Sequence, residues 1–160
     1  MRDGPRSRDA FLRSGSEIVP FHRDVLGVRP DDAFDAVVLW SVFTHLYPDT
    51  IEHYLHEIHR VLKPGGRLGA PFFVLDPHAF SEIDAGRTLY PVQHRMDGFW
   101  TSNPTLPEDL IAVQREWLEG ALDRFGLRLD ELRPGSWSNH EVDANYPQLN
   151  IQDIVVATAV

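Results

Sequence analysis

Apolar residues run almost without interruption from Ala36 to Trp40, behind Asp31-Asp32 and Ala33-Phe34-Asp35, and such a run predicts a strand buried on both faces, as in a parallel sheet covered by helices. The period then changes. Ile51, Tyr54, Leu55, Ile58, Val61 and Leu62 recur at the i, i+3, i+4, i+7 spacing of an amphipathic helix, and Asp49-Thr50-Ile51-Glu52 has capping-box spacing at its start. Lys63-Pro64-Gly65-Gly66 ends that helix, because proline cannot continue the ladder and glycine accepts the positive φ of a chain reversal. Arg67 to Leu75 reads as the next strand. Pro71 inside it predicts a bulge or an early strand end, since proline has no N–H to donate.

Weaker patterns flank this centre. Arg6 to Arg13 has helical character ended by Ser14-Gly15-Ser16, and Glu17 to Val25 suits an edge strand that tolerates Pro20. From Asp76 to Pro107 no periodicity persists, so 76–107 reads as one long loop, and loops of that length are usually functional or mobile. A helix is expected from Pro107-Glu108-Asp109 through Leu110, Ile111, Val113, Trp117, Leu118, Ala121, Leu122 and Phe125, closed by Gly126. Leu127 to Leu132 and Ile151 to Ala159 read as the last two strands. The order is α/β, and residues 1–160 are expected to form a single domain.

Composition narrows the classes. With 42% hydrophobic and 24% charged residues the chain is globular, and no apolar run approaches the roughly 20 residues of a membrane span, so no membrane partner is expected. The net charge of −9 argues against a nucleic-acid partner, whose binding needs Lys and Arg to displace counterions. The absence of cysteine rules out disulfides and thiolate metal sites and fits a cytoplasmic location, as does an N-terminus without the apolar centre of a secretory signal.

In open α/β sheets ligands lie beyond the carboxyl ends of the strands, which directs attention to Trp40-Ser41-Val42-Phe43-Thr44-His45. Strand, functional loop, helix, Leu62-Lys63-Pro64-Gly65-Gly66 and strand, in that order, resemble the class I S-adenosylmethionine-dependent methyltransferases from their fourth strand onward. Within one bacterial branch the segment Ser41-Val42-Phe43-Thr44-His45 is similar too. So are Phe72-Phe73-Val74-Leu75-Asp76, Gly135-Ser136-Trp137 and Gln152-Asp153-Ile154. The resemblance implies a Rossmann-like fold holding strands 3 to 7 with an antiparallel last strand, S-adenosylmethionine as cofactor, and a small-molecule methyl acceptor. Segment 76–107 is then a long loop or an acceptor-side insertion.

By position, the resemblance places Asp24 at the adenine amino group with Val25 beside the ring, and Trp40, Ser41 and Val42 along the rest of the cofactor. Asp24 reads equally as a strand-end turn residue. His45 is the candidate for contact with the acceptor, as an imidazole able to take a proton just past a carboxyl strand end, although a histidine there can simply hydrogen-bond the backbone. Methyl transfer from a sulfonium depends mainly on in-line placement, so no strong catalytic pair is required. Tyr90, His94, Arg95, Phe99 and Trp100 either line an acceptor pocket or pack their loop onto the domain. His53, His56 and His59 lie on the polar face of the helix, which reads as a solvated surface, and no metal is expected.

The family's glycine-rich turn after the first strand and the acidic residue ending its second strand have no counterpart in this sequence. The chain is therefore expected to be truncated at its N-terminus by on the order of 70 to 80 residues, to expose strand edges that favour a homodimer, and to bind S-adenosylmethionine weakly or not at all alone. Two other classes remain: a non-catalytic interaction module of the same ancestry, and a metal-dependent hydrolase using His45 with the His53, His56 and His59 group.

Overall fold

The computed structural model describes residues 32–142 and 151–160, and the compact unit is Ala33–Val160. The edge strand expected over Glu17 to Val25, with Asp24 and Val25, lies outside the described residues, as does the helical segment before it.

Strand β1 (Phe34–Val38) leads through a short 3-10 turn (Phe43–His45) into helix α1 (Pro48–Val61). Strand β2 (Leu62–Phe72) returns beside β1 in parallel. Near the C-terminus, β7 (Leu127–Arg133) and β8 (Asp153–Ala159) complete the sheet. Its order is β1-β2-β8-β7, with β8 antiparallel to both neighbours. A second sheet, in the order β3-β6-β5-β4, is built from β3 (Val74–Leu75), β4 (His94–Arg95), β5 (Trp100–Thr101) and β6 (Ile111–Gln114). Helix α2 (Pro77–Asp84) follows β3, and α3 (Arg115–Arg124) follows β6.

Leu68, Ala70 and Phe72 of β2 and Val155, Ala157 and Ala159 of β8 point to one face, where they meet Ile51, Leu55 and Ile58 of α1 and Leu118, Ala121 and Leu122 of α3 in one apolar cluster. Burying each large aliphatic side chain there contributes roughly 1.5–3 kcal/mol. The opposite face is only partly covered: along β8, Ile154, Val156 and Thr158 alternate as half-buried positions with the buried ones.

This corrects the expectation for β1. The strand ends at Val38, two residues before Trp40; Val37 and Leu39 pack on the cluster, while Val38 is 71% exposed. Among the described residues, α1 and α3 cover a single face, so a continuous apolar run has become an alternating one.

The start of α1 also differs from expectation. Pro48 occupies the first turn, the cap position falls on Tyr47, and Asp49 accepts a hydrogen bond from its neighbour Thr50 N at 2.7 Å instead of capping the helix. Proline preset for the first helical turn moved the start ahead of the capping-box residues. At the other end Lys63–Gly66 loops out of register, with Phe34 paired to Leu62 and Ala36 to Arg67. Gly65 has φ +79°, and a Cβ on Gly66 would lie 2.8 Å from Lys63 O and 3.0 Å from Phe34 O. Both glycines are thus required, one by conformation and one by close approach.

Pro71 stays in register opposite Ile154, and β2 ends one residue later. Gly69 O accepts from Leu39 N, so by the alternation of the strand the donor that Pro71 lacks faces the same side, beyond the end of β1, where no described strand needs it. The chain bends at Phe73, and Val74 then pairs with Val113 in the second sheet.

Two expectations about the middle of the chain are corrected. Segment 76–107 contains α2, β4 and β5. Asp76 caps α2 by accepting from Ala79 N at 2.8 Å, with Pro77 in the first turn. The helix expected from Pro107 begins only at Arg115, because Ile111–Gln114 is a strand between β3 and β5. Ile-Ala-Val is buried throughout there, which suits an inner strand as well as a helix face.

Candidate functional site

The carboxyl ends of β1 and β2 and the start of antiparallel β8 meet at an open pocket of about 200 Å³. Trp40 and Ser41 come from the loop after β1, Pro71 from the end of β2, and Gln152 and Ile154 from the start of β8; Ile151 and Tyr90 complete the lining. Ser41 holds φ +52°, an uncommon conformation for a non-glycine residue, costing on the order of 1–3 kcal/mol. Two contacts hold it: Ser41 Oγ donates to Gln152 Oε1 at 3.0 Å, and the buried Thr44 hydroxyl donates to Ser41 O at 3.2 Å. Strain of this kind at a strand end turns the chain sharply and leaves Trp40 66% exposed beside the pocket.

Behind the β8 wall lies Asp153, 3% exposed. Its Oδ1 accepts from Gly135 N at 2.7 Å, and its Oδ2 from Val74 N at 2.7 Å and Trp137 Nε1 at 2.8 Å. Burial pushes the carboxyl up to about 6, outweighing the three N–H donors that favour its ionised form. Because side chains alternate along a strand, Asp153 faces away from the pocket that Gln152 and Ile154 line. Gly135 touches the same wall: a Cβ there would lie 2.4 Å from Ile151 O. Trp137 N donates to Ile151 O at 3.0 Å, and its ring packs edge-on against Phe73, which in turn meets Tyr90. The Gly-Ser-Trp and Gln-Asp-Ile segments are therefore one piece of construction.

His45 stands apart from the pocket lining. Its Nδ1 lies 2.7 Å from the carbonyl oxygen of Glu108, which can only accept, so Nδ1 is the donor. Tyr47 OH donates to the Glu108 carboxylate at 2.6 Å. Burial, and then that carboxylate, push the Tyr47 phenol up to about 12. Glu108 thus ties the loop after β1 to the turn before β6, a role no sequence pattern signalled.

Of the residues selected from sequence, the structure brings Trp40, Ser41 and Tyr90 together. Val42 packs on the main apolar cluster. His94 and Arg95 form the exposed strand β4, and Trp100 packs against Phe80; none of the three lines the pocket. On α1, His56 pairs with Glu57 and His59 Nε2 meets Val160 O at 3.3 Å. Pro71, Ile151, Gln152 and Ile154 were not selected as lining; the Gln152-Asp153-Ile154 motif was visible without a role attached to it.

The β1-β2-β8-β7 sheet, parallel except for β8, with the pocket at its carboxyl edge, defines a Rossmann-like α/β fold of the class I methyltransferase type. Residues 20–70 match the family model of a methyltransferase domain. Among solved structures, a SAM-dependent methyltransferase from Methanosarcina mazei aligns with 81% of this chain and 61% of its own, at 20% identity and a TM-score of 0.52. An O-methyltransferase family 2 protein from Planctomyces limnophilus, in complex with apigenin, aligns with 83% of this chain and 33% of its own, at 15% identity and a TM-score of 0.51. A 1,6-didemethyltoxoflavin-N1-methyltransferase from Burkholderia thailandensis, with bound 1,6-didemethyltoxoflavin and S-adenosylhomocysteine, aligns with 90% of this chain and 56% of its own, at 16% identity and a TM-score of 0.50. This chain therefore spans less than two thirds of each. Among the described residues no helix is long and apolar enough to cross a membrane.

Proposed function

We propose that this chain serves S-adenosylmethionine-dependent methyl transfer to a small-molecule acceptor. The observation that carries this reading is the meeting of Trp40 and Ser41, Pro71, and Gln152 in one pocket at the carboxyl ends of parallel strands, the place where such folds hold their ligands. The family match, which takes in the whole of β1 and the loop after it, supports the reading, and so do the small molecules named with the Planctomyces and Burkholderia structures.

The residues suit the cofactor in chemistry. An exposed indole, neutral polar groups and the strained Ser41 turn give an amphipathic edge at the strand end. Trp40, Ser41 and the backbone of Val42 would hold the methionyl part, with Asp24 and Val25 at adenine. When bound, S-adenosylmethionine supplies a methyl group on a sulfonium, which leaves as a neutral thioether once an acceptor lone pair has taken the methyl. The chain's own task is placement: the β8 wall orients the acceptor, and the proton that the acceptor loses passes to solvent at the open side of the pocket.

The test is an amide chemical-shift titration of the chain with S-adenosylhomocysteine up to millimolar concentration. Saturable shifts are expected at Trp40, Ser41 and Gln152. A flat titration at those amides in a folded sample would sink the reading.

A further inference from the structure

Five of the seven residues lining the pocket are left once Trp40 and Ser41 are given to the cofactor. The remainder consists of the Tyr90 ring, the branched aliphatics Ile151 and Ile154, the buried ring of Pro71 and the Gln152 amide. Each has a defined support. Tyr90 rests edge-on against Phe73 with ring centroids 5.5 Å apart, so one side of its ring has a fixed backing. Ile151 is anchored through its carbonyl by Trp137 N. Gln152 uses its Oε1 to accept from Ser41, which leaves its amide N–H groups as donors. Among the described residues no Asp, Glu, Lys, Arg or His lines this space.

We infer that the acceptor is an uncharged molecule with a flat, unsaturated ring, taken up against Tyr90, Ile151 and Ile154 and anchored through a hydrogen-bond acceptor on the Gln152 amide. This inference rests on the methyl-transfer reading and deepens it. Apolar walls reward a ring for the area it removes from water, and an aromatic ring meeting Tyr90 gains an edge or offset contact besides. A charged group pressed between the Tyr90, Ile151 and Ile154 side chains, away from the Trp40 and Ser41 end, loses hydration against apolar walls, which is costly. Ile151 is 45% exposed at the pocket edge, so it is the position at which a charge can be introduced without disturbing the core.

Three probes of one shape and different charge test this: 4-hydroxybenzamide, 4-hydroxybenzoate and 4-hydroxybenzylamine, each titrated by amide shifts with and without millimolar S-adenosylhomocysteine. The neutral amide is expected to shift Tyr90 and Ile154, to bind at least about tenfold more tightly than either charged probe, and to bind alongside S-adenosylhomocysteine. Ile151→Arg is expected to raise the affinity for 4-hydroxybenzoate by about tenfold through a new carboxylate partner. Shifts from S-adenosylhomocysteine at Trp40 and Ser41 with no preference for the neutral probe overturn this inference alone, as does displacement of one ligand by the other. Absence of the S-adenosylhomocysteine shifts overturns the methyl-transfer reading, and this inference with it.

Discussion

Asp153 concentrates more of this molecule's physics than any other described side chain. Three N–H donors from separate segments converge on a carboxylate that burial holds at about 6 against an ordinary 3.8. A carboxyl raised in the fold binds its proton more readily than in the unfolded chain. Its contribution to stability therefore declines as pH rises from about 4 to about 6, and stays low above that. Asp153→Asn puts an NH2 group where only acceptors fit. It should cost about 1–3 kcal/mol at pH 7 and abolish that pH dependence, both measured by urea unfolding. Glu82 behaves in the opposite sense. Arg87 and Asn139 donate to its buried carboxylate and hold it down to about 2 from 4.5, so its contribution is present above 4.5 and is lost as pH falls toward 2. In Glu82→Gln, unfolding midpoints compared between pH 5 and pH 2.5 should fall less steeply than in the parent chain.

The elements of the first sheet were legible because their signals are local. The 3.6-residue period of α1, the glycines after it and the alternation in β8 each fix an element whatever surrounds them. Elements of the second sheet were not. Strands β4 and β5 are two residues long and exist through pairing with each other and with β6, so no window of sequence carries them. Ile111, Ala112 and Val113 were assigned to a helix since a short buried apolar run has no period of its own; sandwiching between β3 and β5 decided for strand. Helix α2 does have a signal, the Asp76-Pro77 start, but too few apolar positions follow it to show a period. Asp76→Ala should remove its only side-chain cap and cost about 1 kcal/mol, detectable as a lower unfolding midpoint and faster amide exchange at Ala79.

At the scale of the whole molecule, the two sheets join where β2 ends and β3 begins, at Phe73, with Asp153 bridging the break by way of Val74 N. The main apolar cluster takes residues from both sheets, with Val74, Ile111 and Val113 of the second beside those of β2 and β8, and a smaller cluster around Phe73, Leu75, Ala112 and Trp137 belongs to the second sheet. Weakening the joint should loosen the second sheet first: in Asp153→Asn, amide exchange in β3 and β6 is expected to rise before exchange in β2, while a uniform rise would refute the joint. The order strand β1, loop with Trp40 and Ser41, helix α1 and strand β2 was legible along the chain, because strand, turn and helix signals act within a few residues. The pocket's other wall was not. Pro71, Tyr90, Ile151 and Ile154 are scattered over some 80 positions, and only the pairing of β2 with β8, the stack of Tyr90 on Phe73 and the anchoring of β8 by a buried carboxylate bring them to one space. Local patterns determine which elements form; which side chains share a cavity is set by long-range pairing and burial, and those belong to the folded chain alone.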